Sequence, residues 1–272
     1  MIWRMKNHFL SIIFATAFAL SFSPAQAQVP PVDELVQLKV LPGWRLANGN
    51  HMIGVELTLA EGWKTYWRNP GDAGIPPEFN LSRSKNLAGF ATHWPTPNIY
   101  EDYGTMAIGY KDRVVFPIEL SPRNESRAIN LKGTLDLGVC AEVCIPVDLG
   151  FGIKLSASDD KVDPQISAAL AKKPTRARNK FDCDVRPIKN GIMLETTLRQ
   201  PKLGENEVLV LEVNGVDLWV ASTELQRNGS RVTGKTKIIN VAGNGVSFAR
   251  DQVRLTLLSN NGAVESLGCA KG

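Results

Sequence analysis

Short runs in which apolar and polar residues alternate, separated by glycine, proline or acidic turn residues, recur along this chain from residue 32 to residue 258, and almost nothing carries a helical period. Residues 51–59, HMIGVELTL, show the alternation most clearly. Residues 32–46 alternate weakly around a turn expected at Pro42-Gly43, and 90–94, 114–120, 128–139 and 145–155 complete a first set of strands. A period of two with frequent turn signals restricts such a chain to stacked antiparallel sheets. Residues 156–180 differ in kind: charged residues, Pro164 and Pro174 make them a connector, with Asp163-Pro164 opening a short helix that carries Ile166 and Leu170 on one face. The strand pattern then resumes at 191–198, 208–213, 218–221, 231–239 and 253–258. The fold expected is all-β, with two tandem antiparallel β-sandwiches joined by a short, partly helical linker.

The N-terminal segment has the pattern of an export signal. Arg4 and Lys6 precede an apolar run at residues 9–22 that is too short to span a bilayer, and Ala25-Gln26-Ala27 supplies an A-x-A cleavage site. Residues 1–27 are therefore expected to be a signal peptide, cleaved after Ala27. The domains expected are a first sandwich at 28–157, a linker at 158–180 and a second sandwich at 181–272. No later stretch approaches about 18 apolar residues, so the exported chain is expected to be soluble, without direct membrane insertion. Of 31 basic and 27 acidic residues, two basic ones lie in the leader, leaving a net charge near +2, too balanced to suggest a nucleic-acid partner.

All four cysteines lie in the exported part and permit two disulfides, with Cys140–Cys144 and Cys183–Cys269 the natural pairing. Cys183 and Cys269 bracket the second strand set, and a structural bond there closes a loop worth roughly 4–5 kcal/mol in the chain-entropy picture. Cys140 and Cys144 sit in GVCAEVCIPV, residues 138–147, between two strands. Ala141, Glu142 and Val143 then form a hairpin loop, and the two cysteines face each other across an antiparallel pair, with Cα atoms about 4.5–5.5 Å apart. That spacing allows a bond to form and break with little backbone movement. Pro146, which has no N–H, suits an edge strand whose sulfurs a partner can reach.

Three readings of this pair compete: redox exchange, a structural disulfide, and soft-metal binding with Met106 as a third copper(I) ligand. A bond closing so small a loop constrains the unfolded chain little, which argues against a purely structural role. Neither cysteine begins a helix, and the one charge between them, Glu142, disfavours a thiolate. The pair therefore fits one side of a relay in which a docked partner supplies proximity and the better leaving sulfur. Other motifs are set aside. GSRVTGKT, residues 229–236, mimics a phosphate-binding loop but falls in a β-hairpin rather than between a strand and a helix. His51, expected at the surface, and His93, expected to be packed beside Trp94, have no ligand or triad partner at a recognisable spacing. Trp63, Tyr66 and Trp67 read as a core strand before a long loop, or as aromatic shielding for the cysteines. Residues 99–109 read as a polar and aromatic loop.

Three segments, EGWKTYWRNPGDAG (61–74), IYEDYGTMAIGYKDRVVFPI (99–118) and GVCAEVCIPV (138–147), resemble the N-terminal periplasmic domain of the DsbD and ScsB thiol:disulfide interchange proteins. The tandem arrangement, with LWV at 218–220, is closer to the ScsB type, which is linked to copper tolerance. The resemblance implies immunoglobulin-like sandwiches and thiol–disulfide oxidoreductase activity. Cys144 would form the mixed disulfide with a partner, and Cys140 would resolve it. Glu101, Asp102, Tyr103 and Gly104 fall on the family's cap loop, which shields the disulfide, and Trp63 and Tyr66 match its aromatic neighbours. No cofactor and no metal are implied. The partners implied are exported, thioredoxin-fold redox proteins in the periplasm. The cysteine spacing is shorter than in DsbD, and no membrane or thioredoxin-like domain is expected after the second sandwich, so a separate membrane electron donor is expected; a copper(I)-binding chaperone or a passive interaction module is the alternative.

Overall fold

In the computed structural model, which describes residues 31–102, 104–243 and 245–271, the alternating segments become the strands of four sheets. The expected signal peptide, residues 1–27, lies outside the described residues, as does Tyr103. Ten strands build the first sandwich: β1 (Val36–Arg45), β2 (His51–Leu59), β3 (Lys64–Gly71), β4 (Glu78–Asn80), β5 (Leu87–Thr92), β6 (Asn98–Asp102), β7 (Thr105–Lys111), β8 (Arg113–Pro122), β9 (Ile129–Cys140) and β10 (Cys144–Leu155). One sheet runs β1-β2-β8-β5; the other runs β10-β9-β3-β7-β6, with β4 on β9. Every pairing in these two sheets is antiparallel.

Alternation decides what enters the core. Ile53, Val55 and Leu57 of β2, Phe116 and Ile118 of β8, Trp67 of β3 and Leu135, Leu137 and Val139 of β9 are buried between the sheets. Phe79, Trp94 and Tyr110 meet Phe116 at ring-centroid distances of 5.9, 5.3 and 5.5 Å, all edge-on, the arrangement that aromatic quadrupoles favour.

Three expectations are corrected here. Pro42-Gly43 is not a turn between strands but a bulge inside β1: the register passes from Leu41 opposite Gly54 to Trp44 opposite Met52. Gly43 has φ +64°, and a Cβ there would lie 1.8 Å from the Met52 carbonyl oxygen, so only glycine fits. The bulge also buries His51, which is 0 % exposed rather than at the surface; its Nε2 lies 2.8 Å from the Pro42 carbonyl oxygen. Residues 99–109 are not a loop but the β6–β7 hairpin, with Asp102 opposite Thr105.

The connector helix, Pro164–Ala171, is capped by Asp163, whose side chain accepts hydrogen bonds from the Gln165 and Ile166 amides. It lies on the outer face of the first sheet, where Ile166 is buried with Leu41, Met52 and Val115. Gly54 makes room for it, since a Cβ there would sit 2.9 Å from Ile166 Cγ1.

The second sandwich pairs a four-stranded sheet (Thr175–Arg176, Gly262–Leu267, Val253–Ser259 and Val208–Val213) with a sheet of Trp219–Val220, Arg231–Ile239, Gly191–Arg199, Asp182–Ile188 and Ala270–Lys271, to which Glu224–Asn228 adds. Two short pairings, Thr175–Arg176 on Gly262–Leu267 and Asp182–Ile188 on Ala270–Lys271, are parallel, because chain entering and leaving the sandwich is tucked beside existing strands. The Cys183–Cys269 disulfide joins these regions, with Cα atoms 5.8 Å apart. Residues 229–236 lie in a hairpin and run on as strand, with Asn228 opposite Arg231. Val210, Leu258 and Ala263 of the second sandwich are continuous with the core of the first, and Pro31–Gly272 forms one compact unit. Among the described residues, no helix is long and apolar enough to cross a membrane.

Candidate functional site

The β9–β10 hairpin sets the geometry of the cysteine pair. Cys140 ends β9, Cys144 begins β10, and they are directly opposed with Cα atoms 4.1 Å apart, slightly closer than expected, and joined by a disulfide. Ala141 donates its N–H to the Val143 carbonyl across the tip, 3.1 Å away. Because β10 is the edge strand and β9 is flanked on both sides, the two sulfur-bearing residues have different environments. Cys144 is exposed, whereas Cys140 is 1 % exposed.

Strand β3 supplies the next layer. Lys64 lies directly opposite Cys140, and Thr65 opposite Val139, with the Thr65 hydroxyl donating to the Gly138 carbonyl at 2.9 Å. Alternation then turns Tyr66 to the face that carries the cysteines and Trp67 to the core. The residues of this aromatic cluster part between the two faces. The Tyr66 hydroxyl is 3.3 Å from Cys144 Sγ, and since a disulfide sulfur has no proton, the phenol is the donor. Tyr66, Ala107 and Cys140 form a small buried cluster, with Tyr100 packed against it. Trp63 packs against the sandwich core instead, and among the described residues the second ring packed with Cys140 is Tyr100, which no local sequence signal marks.

The glycine-rich loop after β3 has a specific use. At Gly74, φ is +135° and a Cβ would fall 2.4 Å from Tyr66 Cε1, so the loop lies flat on the tyrosine ring. Ile75 continues it over the hairpin, accepting a hydrogen bond from the Gly138 amide at 3.1 Å. Ile75 and Val143, the latter 61 % exposed, leave apolar surface open to solvent along this loop and the hairpin tip.

The stem of the β6–β7 hairpin reaches the pair. Tyr100 on β6 meets the Cys140 cluster, while Glu101 and Gly104 are exposed; Asp102 ends the strand. Cys144 is open to solvent. Burial raises the Tyr100 phenol above its ordinary value, while its hydrogen bond from Asn98 and the charge of Lys64 pull in the opposite direction. Lys111 Nζ lies 4.4 Å over the Tyr100 ring. Met106 packs on the core side of β7, the face opposite Ala107 and the cysteines, so the third copper ligand considered from sequence is not beside the pair.

The second sandwich is tied to these strands. Arg68 on β3 makes paired hydrogen bonds to Glu212 at 3.0 Å and one to Glu265 at 2.6 Å, and its guanidinium carbon lies 3.9 Å over the Trp67 ring. Asp72 receives hydrogen bonds from the Ser222 hydroxyl at 2.7 Å and the Met106 amide at 3.0 Å. The Ile99 amide at the base of the β6–β7 hairpin donates to Asn260.

Fold and site together define a tandem immunoglobulin-like β-sandwich protein with a disulfide at an exposed hairpin edge. Residues 26–150 match the family described as "Thiol:disulfide interchange protein DsbD, N-terminal", a match that spans the three motifs and bears out their resemblance. The N-terminal periplasmic domain of ScsB from Proteus mirabilis shares the fold, with a TM-score of 0.64 at 23 % identity over 90 % of this chain and 97 % of that one. The N-terminal domain of Neisseria meningitidis DsbD in its reduced form aligns with a TM-score of 0.30 at 19 % identity, over 52 % of this chain and 98 % of that one. Among curated proteins, none matches the sequence.

Proposed function

We propose that this chain is a periplasmic thiol:disulfide exchange protein that relays electrons through Cys140 and Cys144 to thioredoxin-fold partners. The observation that carries this reading is the asymmetry of the pair: Cys144 is exposed on an edge strand, and Cys140 is buried behind it. In the reduced chain, the Cys144 thiolate attacks one sulfur of a partner disulfide, forming a mixed disulfide and releasing the partner's other thiolate. Cys140, as thiolate, then attacks Cys144 Sγ, which closes the intramolecular bond and frees the partner's second sulfur. Two electrons leave the chain, and a separate membrane donor restores them. The Tyr66 hydroxyl, already hydrogen-bonded to Cys144 Sγ, supports negative charge on that sulfur as it forms. The first sandwich, 28–157, provides this chemistry, and the second, 181–272, holds its strands in place.

The test combines trapping with a potential. Incubated with an oxidised thioredoxin-fold protein, the reduced Cys140→Ser variant should accumulate a mixed disulfide, and Cys144→Ser should form none. Equilibration with glutathione buffers should place the pair between roughly −180 and −270 mV, the span of exchange proteins. A potential below about −300 mV, as in structural disulfides, would overturn the proposal.

A further inference from the structure

Exchange through a buried sulfur raises an electrostatic difficulty. Whether Cys140 leaves during attack on the disulfide or resolves a mixed disulfide, it must carry a full negative charge at a site 1 % exposed, walled by the Tyr66 and Tyr100 rings and Ala107. Burial disfavours a thiolate, and the one charge in the hairpin turn, Glu142, is of the wrong sign. The sheet register supplies the answer. Lys64 on β3 is the direct partner of Cys140 on β9, and Lys64 is in turn the partner of Lys111 on β7, so Cys144, Cys140, Lys64 and Lys111 form one row across four strands. Side chains of directly opposed residues lie on one face with Cβ atoms about 4.5–5.5 Å apart. Lys64 is itself only 7 % exposed, an uncommon condition for a lysine, and its charge acts on Tyr100, which packs against the same cysteine.

We propose that Lys64 is a positioning residue for Cys140: its ammonium group holds the thiolate of the buried cysteine in the charged state that resolution and release require. Lys111, one strand further away and stacked on Tyr100, adds a weaker effect of the same sign. The proposal rests on the exchange reading for its biological meaning, but its physical content does not require a partner. When the Cys140–Cys144 bond is broken by an incoming thiolate, the new bond forms at Cys144 Sγ and the electron pair of the old one stays on Cys140 Sγ, opposite Lys64.

The experiment uses the mature chain carrying Cys144→Ser, in which Cys140 is the single free thiol and the Cys183–Cys269 bond stays intact. Thiolate absorbance is followed against pH in that background, alone and with Lys64→Met, Lys64→Arg or Lys111→Met. Lys64→Met, which keeps the aliphatic stem, should raise the Cys140 midpoint by about one pH unit or more, roughly tenfold less thiolate at a given pH below it. Lys64→Arg should restore the original midpoint, and Lys111→Met should move it less. If Lys64→Met does not fold, Lys64→Gln replaces it, with the same upward shift expected. An unchanged midpoint in a folded Lys64→Met or Lys64→Gln chain overturns the proposal, as does failure of Lys64→Arg to restore it. If the midpoint moves while the potential of the pair lies in the structural range, the Lys64 assignment stands and the relay falls.

Discussion

Arg68 offers the sharpest test of how the second sandwich is tied to the strands beside the cysteine pair. Its side chain is 11 % exposed and joins Glu212 and Glu265, whose side chains are 15 % and 29 % exposed. Replacing Arg68 with methionine keeps most of the contact with Trp67 but leaves Glu212 without its paired donor, while Glu265 keeps Arg254, whose Nε is 3.7 Å away. Breaking a buried pair from one side costs about 3–5 kcal/mol, because the remaining charge is stranded, and the residual Arg254 contact puts this case near the lower end. A loss of about 3 kcal/mol in a chain of this size lowers Tm by roughly 6–12 °C. Calorimetry at neutral pH measures it directly. The stranded charge makes a second, more selective prediction: Glu212→Gln added to Arg68→Met should recover part of the loss. A destabilisation under about 1 kcal/mol, the range of exposed pairs, would show that solvent reaches this cluster and would refute the buried-pair argument. No recovery in the double variant would refute the stranded-charge argument in particular.

Gly74→Ala should displace the Tyr66 ring, since its Cβ would fall 2.4 Å from Cε1 at a backbone φ of +135°; overpacking of this kind costs about 1–3 kcal/mol, and partner reduction should slow to the rate of Tyr66→Phe. Wild-type exchange rates in Gly74→Ala would show that the tyrosine contact is dispensable. For pH dependence, burial holds His51 below the ordinary histidine value, outweighing the Pro42 carbonyl bond, with Arg45 lowering it further and Asp159 opposing. The unfolded chain therefore takes up the proton first as pH falls, so stability is full above about pH 6.5 and declines below it toward the depressed native value. Thermal melts from about pH 7.5 down to about pH 5.5 should show this decline, and His51→Gln should flatten it. Burial also depresses His93, whose bond to Glu119 opposes the shift, so a residual slope is expected to remain.

The sequence by itself determined the all-β class, the hairpin that opposes Cys140 to Cys144, and the capped helix opened by Asp163-Pro164. Each depends on neighbours within a few residues: a period of two, a three-residue spacing, an acidic cap before proline. Tertiary structure alone decided which cysteine is buried, because that follows from β10 being an edge and β9 having β3 beside it. The same distant pairing brought Lys64 to Cys140, so the hairpin's local charge, Glu142, gave an incomplete picture of its electrostatics. His51 went into the interior because a bulge in the adjacent strand presented a carbonyl to it, and Trp63 turned to the core while Tyr66 turned to the sulfur. Local alternation sorts residues onto two faces; only the register between strands far apart in sequence decides what those faces meet.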